Sequence, residues 1–390
     1  MLRILRARRV AAIAVTLAAT VVTLSLPARA VDPATITNAI DYLASTQISG
    51  TTVANGNGAW DSSPTFPFYT YDAVLAIAEH AQTGPTWSTS EAFDAVDGFE
   101  NVDGDSPLAF MDLMADNIAG PGDAAKTVVL LAAPLGLSFD AYNPGGDAGT
   151  VDLVAAIGSP AVDGSYAPDF AFNDTLYAAL ATKLISGAVV PTTVAYVKAG
   201  QKVDGSWSYD HDAGTTTDAD IDTTGLSLMV LLASGLGPDD AAVQLGLRYL
   251  AEQLQPAGYW NFFGEASVES SSRAMLAIAA AGFDVNSSCW RDTVAPKLAG
   301  KPFVGADAAI EAFANDNGSI AAPMAFNVTY STSQSVEGLE RSWLPITVGA
   351  AHTCAVPTPD VPTPDVPTIP ILVDAATSAV PVLVTPAFTG

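Results

Sequence analysis

Apolar residues recur between positions 31 and 354 at the three-to-four-residue spacing of helices, and no stretch keeps the strict alternation of a strand. Six segments resemble one another. They are Y-D-A-V-L-A-I-A (71–78), G-D-A-A-K-T-V-V-L-L-A-A-P-L-G (122–136), N-D-T-L-Y-A-A-L-A-T-K-L-I-S-G (173–187), the run from Asp222 through G-L-S-L-M-V-L-L, V-E-S-S-S-R-A-M-L-A-I-A-A-A-G (268–282) and T-Y-S-T-S-Q-S-V-E-G-L (329–339). Aligned on their first acids, they place Asp72, Asp123, Asp174, Asp222, Glu269 and, in the last, Tyr330 at one position, spaced 51, 51, 48, 47 and 61 apart.

A tight turn precedes most of these segments: N-G-A-W (57–60), D-G-S-Y (163–166), D-G-S-W (204–207), G-Y-W (258–260) and N-G-S-I (317–320). Glycine accepts the positive φ such turns need, which leaves the following aromatic free to wedge between helices. Further helix-like stretches lie upstream, at 34–47, 106–117, 150–157, 191–201, 238–254 and 305–314. A single helix–turn–helix unit cannot bury its own apolar face, so the units must stack. The inner segments are rich in Ala, Leu and Val on nearly every side, as suits a wall packed on both faces. The pattern predicts an all-α fold, an (α/α)6 toroid of six helix pairs.

The ends differ from this repeat. Arg3, Arg6, Arg8 and Arg9, an apolar run over 10–26 and Ala28-Arg29-Ala30 read as a secretory signal peptide over 1–30. From Ala355 the sequence V-P-T-P-D-V-P-T-P-D-V-P-T begins a proline-rich, disordered tail over 355–390, leaving 31–354 for the toroid. The tail's apolar stretch is interrupted by Pro370, Pro381 and Pro386, so no integral membrane segment is expected in the mature chain. The ending A-F-T-G is a fragmentary match to a cell-wall sorting signal.

The whole chain carries 15 Lys plus Arg against 41 Asp plus Glu, a net charge of −26, and loss of the leader's five arginines makes it more acidic. Such a surface repels nucleic acid and anionic headgroups, and is compatible with bound cations. Cys289 and Cys354, the two cysteines, fit one disulfide in an exported protein.

Q-K-V-D-G-S-W (201–207) followed by D-I-D-T-T-G-L (220–226) resembles the squalene–hopene cyclase and protein prenyltransferase repeat superfamily, in an exported actinobacterial form. Gln201, Asp204, Gly205 and Trp207 match its turn motif, and the likeness runs over nearly all of 33–345. It implies an (α/α)6 barrel but not one function, since cyclases, prenyltransferases and carrier domains share it. In its D-x-D-D cyclases the third-position Asp protonates an isoprenoid double bond. Here that residue is Asp222, with Asp220 before it and Thr223 in place of the last Asp. The zinc set of the prenyltransferases is broken: Cys289 and His352 are present, but Ser287 stands where an Asp is expected.

A plainer reading of the acids is available. A carboxylate at a helix start accepts free backbone N–H groups and meets the positive end of the dipole. Asp72, Asp123, Asp174, Asp222 and Glu269 are therefore expected to be caps, ringing one mouth of the barrel. Unit four has a longer loop, and Asp210, Asp212, Asp218, Asp220 and Asp222 in it form an alternating set suited to calcium. Tyr71, Tyr177, Trp260, Phe262 and Tyr330 sit near helix starts, where an apolar ligand would enter. The expected function is an exported, non-enzymatic module binding an apolar small molecule or a cell-surface partner. The alternative is a divergent class II terpenoid cyclase with Asp222 as proton donor.

Overall fold

The computed structural model describes residues 31–343, apart from 66, 119, 147–148, 167–171 and 215–217. Cys354 and the proline-rich tail lie outside the described residues, as do His352 and the leader. Fourteen helices appear in the described residues: α1 (Pro33–Thr46), α2 (Phe68–His80), α3 (Thr89–Asp97), α4 (Leu108–Asp116), α5 (Pro121–Thr127), α6 (Leu153–Ile157), α7 (Phe172–Ser186), α8 (Pro191–Ala199), α9 (Ile221–Ala233), α10 (Ala241–Gln253), α11 (Val268–Ala280), α12 (Ser288–Val294), α13 (Ala306–Glu311) and α14 (Val328–Glu340). Helix α5 continues into a π-turn over Val128–Ala132. None is long and apolar enough to cross a membrane.

Helices α2, α5, α7, α9, α11 and α14 form a closed inner ring, and a contact between neighbours can be named at every step. Tyr71 OH meets Thr127 Oγ1 at 3.0 Å (α2 to α5). A Cβ on Gly122 would strike the Asp174 carboxylate at 2.3 Å, so α5 and α7 approach at a glycine. Thr223 Oγ1 donates to Asn173 Oδ1 at 3.3 Å (α9 to α7). Gly225 of α9 lies on the backbone of Arg273 in α11, where a Cβ would come within 2.8 Å of its carbonyl oxygen. Ser331 donates to the Glu269 carboxylate (α14 to α11). Gln334 Nε2 donates to Asp72 Oδ1 at 3.0 Å and returns the ring to α2. Most of these contacts join the opening turns of adjacent helices, so the inner helices run parallel with their N-termini at one end.

Helices α1, α4, α6, α8, α10 and α13 precede the inner six as their outer partners, and six pairs are what the repeat predicts. Two helices were not expected. Helix α3 follows α2, and α12 falls in the interval that stretches the last repeat. Four short strands also occur: β1 (Trp207–Ser208) pairs with β2 (Ala219–Asp220), and β3 (Trp260–Phe262) with β4 (Glu265–Ser267), both antiparallel. At two or three residues each they are too short to show an alternating pattern.

The turns work as hydrogen-bonded joints. Gln201 Nε2 donates to Gly205 O (3.0 Å) and to Ala242 O (2.8 Å), tying the turn after α8 to the start of α10. Gly205 has φ +96°, and a Cβ there would meet Leu245 O at 2.2 Å, so no other residue fits. The aromatic that follows points its ring N–H back to the preceding outer helix: Trp60 to Leu43 O (2.9 Å), Trp207 to Val197 O (2.6 Å), Trp260 to Leu250 O (2.8 Å). Its backbone N–H reaches forward to a hydroxyl in the inner helix. Thr70, Thr175, Thr224, Ser271 and Thr332 receive that bond from Trp60, Tyr166, Trp207, Trp260 and Ile320.

Those hydroxyls fix the register of the repeat and correct the alignment on acids. Two residues before each lie Phe68, Asn173, Asp222, Glu269 and Tyr330. Two residues after each lie Asp72, Tyr177, Leu226, Arg273 and Gln334. Asp72 is therefore one helical turn deeper than Asp222, and Asp174 is one residue out of step. The error arose because an acid recurs near each helix start for different local reasons.

Candidate functional site

Five residues after the same hydroxyls come Leu75, Leu180, Met229, Leu276 and Glu337, one from each of five inner helices. With Tyr177, Leu226 and Arg273 from the layer above, and Glu79, Val129, Leu130 and Trp343, they line an interior cavity. The space inside that is free to a water-sized molecule is about 20 Å³, and the wider gap between the lining atoms, open solvent at the mouth included, is about 370 Å³. Two stacked layers of side chains, each at one register of the repeat, thus face the same space.

Trp343, just beyond α14, closes one end. Its backbone N–H donates to Glu79 Oε1 (2.8 Å), its indole N–H to Val129 O (3.0 Å), and its ring packs on Trp87 at 4.9 Å between centroids. The π-turn makes the second bond available. Ala133 N–H reaches back to Val128 O rather than to Val129 O, which leaves the Val129 carbonyl for the indole.

The polar side of the cavity spans α2, α7, α11 and α14. Asp72, Glu337 and Arg273 are all buried, and Gln334 links Asp72 to Tyr330 OH (2.8 Å). Burial pushes the Glu337 carboxyl well above the usual range, and the Asp72 carboxylate beside it adds to the rise, outweighing the attraction of Arg273. Burial thus favours the neutral form of Glu337. Burial alone would lower Arg273, but Tyr177, Glu337, Tyr330 and Asp72 around it more than reverse that, so it stays charged. Burial and then Asp72 likewise raise the Tyr330 phenol.

Asp72, Asp222 and Glu269 are not the caps of their helices. Asp220 Oδ1 accepts from Asp222 N–H (3.0 Å) and Asp220 Oδ2 from Thr223 N–H (3.4 Å), so Asp220 caps α9 and Asp222 stands inside its first turn. Asp61 Oδ2 does this for α2, accepting from Tyr69 N–H (3.0 Å) and Thr70 N–H (2.7 Å). Ser267 caps α11 and Asn327 caps α14. Glu269 instead accepts from Phe326 N–H (3.0 Å) and from Ser331, bridging to α14. Asp123 is exposed in the first turn of α5, and Asp174 is half-buried against Gly122. The acids do gather at the end where the inner helices begin, Asp72 one turn inside it.

Asp222 is pushed up to about 7, first by burial and then by Asp220, with Arg273 opposing. Its Oδ1 is sealed from solvent without a hydrogen-bond partner, as is the nearby Ser270 hydroxyl. It is not among the residues lining the cavity.

The proposed calcium set divides. Asp210, Asp212 and Asp218 bring one carboxylate oxygen each within 4.8 Å of one another, all exposed to solvent. Those three could supply oxygens to a hard cation, the rest of its shell coming from water or backbone. Asp220 is occupied as a cap and Asp222 points inward, so neither belongs to the group.

The aromatic set also divides. Tyr177 lines the cavity and the Tyr330 hydroxyl stands beside it. Trp260 is fully buried against Trp290, and Tyr71 is buried between α2 and α5, so both pack helices rather than line a mouth. Phe262 is half-buried in β3 against Phe263. Arg273, Glu337, Glu79 and Trp343 were not singled out from the sequence. For Glu79 the available signal was a charged residue in a helix otherwise largely apolar, whereas Arg273 and Glu337 stand in helices already rich in Ser and Thr.

No family model matches the chain, and no curated protein matches it. Among solved structures, the chain is similar to the type II terpene cyclase MstE from Scytonema, at 13% identity over 79% of this chain and 97% of that one, with a TM-score of 0.49. A protein from Actinoplanes matches at 14% identity over 80% of this chain and 99% of that one, TM-score 0.47. A glycosidase variant matches at 14% identity over 79% and 96%, TM-score 0.42. At these identities the comparison speaks to no residue of the site.

Proposed function

We propose that this chain is a binding module whose toroid interior takes one small, largely apolar molecule and does not transform it. The observation that carries this is the layer Leu75, Leu180, Met229, Leu276 and Glu337, four apolar side chains and one buried acid converging on a cavity stopped by Trp343. Apolar walls with a few convergent polar groups are what small-molecule sites have in common. The export that residues 1–30 suggest belongs to the same proposal, and sets the module outside the cytoplasm. Native mass spectrometry of the purified protein, followed by extraction, tests it. A retained small molecule in the wild type, absent from a Met229→Trp variant that fills the cavity, is expected; identical bare masses after incubation with a lipophilic extract would count against it.

A second reading, a divergent class II cyclase with Asp222 as donor, has one observation in its favour: a buried carboxyl with an unpartnered oxygen. The same burial works against it. Protonating an alkene needs a strong acid, and a group raised to about 7 is a weaker one than an ordinary Asp. Incubation with squalene or geranylgeranyl diphosphate decides the matter. A cyclised product that disappears in Asp222→Asn would establish the cyclase.

A further inference from the structure

Arg273 is the one basic residue lining the cavity among the described residues. Its side-chain stem lies against Gly225, where a Cβ would come within 2.9 Å of Arg273 Cγ, and the residue is only 9% exposed. Among the described residues its guanidinium forms no ion pair and no hydrogen bond. Tyr177, Glu337, Tyr330 and Asp72 act on it only through space. A largely buried guanidinium with no direct partner is costly, because its five N–H donors keep little contact with water and gain no protein acceptor in return. Here they face a cavity whose remaining wall is Leu, Val and Met, with Tyr177, Trp343 and the two acids Glu79 and Glu337.

Glu337 Oε1 next to it is also buried without a partner. A ligand group that fits must accept from the guanidinium fork and tolerate a carboxyl neighbour. A carboxylate does both: its two oxygens match the fork, and one can share a proton with Glu337. A phosphate would bring a second negative charge beside Asp72, and an amine would set a second cation against Arg273.

We propose that the ligand of this cavity is an aliphatic carboxylic acid, held by its carboxylate on Arg273 with its chain among Leu180, Leu226, Met229 and Leu276. The inference rests on the binding-module reading and names its ligand class. Titration calorimetry of the full chain with octanoate, methyl octanoate and octylamine tests it. Octanoate is expected to bind once per chain, at least about tenfold more tightly than the ester or the amine. Arg273→Met should remove that preference while leaving the weak binding of the ester unchanged. Should Arg273→Met fail to fold, the acid-over-ester preference of the wild type and its loss in Met229→Trp carry the test alone. Equal binding of acid and ester, blocked by Met229→Trp, would keep the cavity as a binding site and overturn the carboxylate. Tighter binding of octylamine would overturn it in favour of a cation. No binding by any probe would sink both the inference and the reading beneath it.

Discussion

Gln334 Nε2 donates a 3.0 Å hydrogen bond to Asp72 Oδ1 across 262 positions of sequence, so the last inner helix is fastened to the first inside the barrel. Both residues are buried, and the same Gln334 Nε2 also donates to the Tyr330 hydroxyl oxygen at 2.8 Å. Removing the amide leaves a buried carboxylate oxygen with no donor. Gln334→Ala should therefore cost roughly 1–3 kcal/mol in urea denaturation. The Asp72→Ala/Gln334→Ala double variant should lose less than the sum of the singles, because the two share one interaction. Additive losses would mean that the ring is not closed through this pair.

Capping and interior burial give neighbouring acids opposite behaviour. Asp220→Ala removes the acceptor for two N–H groups of α9 and should destabilise by about 1–2 kcal/mol. Asp222→Asn removes a buried carboxylate instead, and at pH 8 it should be neutral or stabilising. Thermal melts of the two variants side by side check this, and equal destabilisation would restore Asp222 as a cap.

The pH dependence follows from the same residue. Asp222 titrates near 7 in the fold and near its ordinary 3.8 when unfolded, so between those values the folded chain binds the extra proton. Stability from this group is then present at low pH and is lost as pH rises from about 4 to about 7, at up to roughly 1.4 kcal/mol per pH unit. Glu337, also raised by burial, acts in the same direction. Subtracting the stability profile of Asp222→Asn from that of the wild type isolates the effect. A flat difference over this range would show that the carboxyl is not desolvated.

Trp343 should behave as the floor of the cavity. Trp343→Phe keeps most of the packing and loses the bond to Val129 O, at about 1 kcal/mol. Trp343→Ala also opens the floor, and should cost roughly 2–4 kcal/mol in the same denaturation assay. A Trp343→Ala variant as stable as Trp343→Phe would mean that the indole closes nothing.

The sequence displays the architecture more openly than the site. Helix starts at Phe172, Val268 and Val328 fall within a residue of the repeated segments beginning at 173, 268 and 329, because the same turn-to-helix junction recurs in each unit. The caps were misassigned for a physical reason. Asp220 and Asp222 both lie at the entrance of α9, and spacing alone does not tell which carboxylate turns back to the backbone and which turns inward. The true register is marked by hydroxyls such as Thr224 and Ser271, whose role depends on a turn N–H arriving from outside the helix. Arg273 and Glu337 become neighbours only when α11 and α14 pack side by side, and no one-dimensional pattern pairs them. Trp343 needed the π-turn carbonyl of Val129 to explain it, which lies 214 residues earlier.

The six-helix ring is proposed to enclose an apolar space able to hold a guest. Crystals of the protein under xenon pressure test that most directly, since xenon fills apolar cavities without needing any polar recognition. A xenon atom is expected inside the ring, in contact with Leu180, Leu226, Met229 and Leu276, and none at that place in Met229→Trp. An interior without xenon, with sites only between outer helices or on the surface, would contradict it.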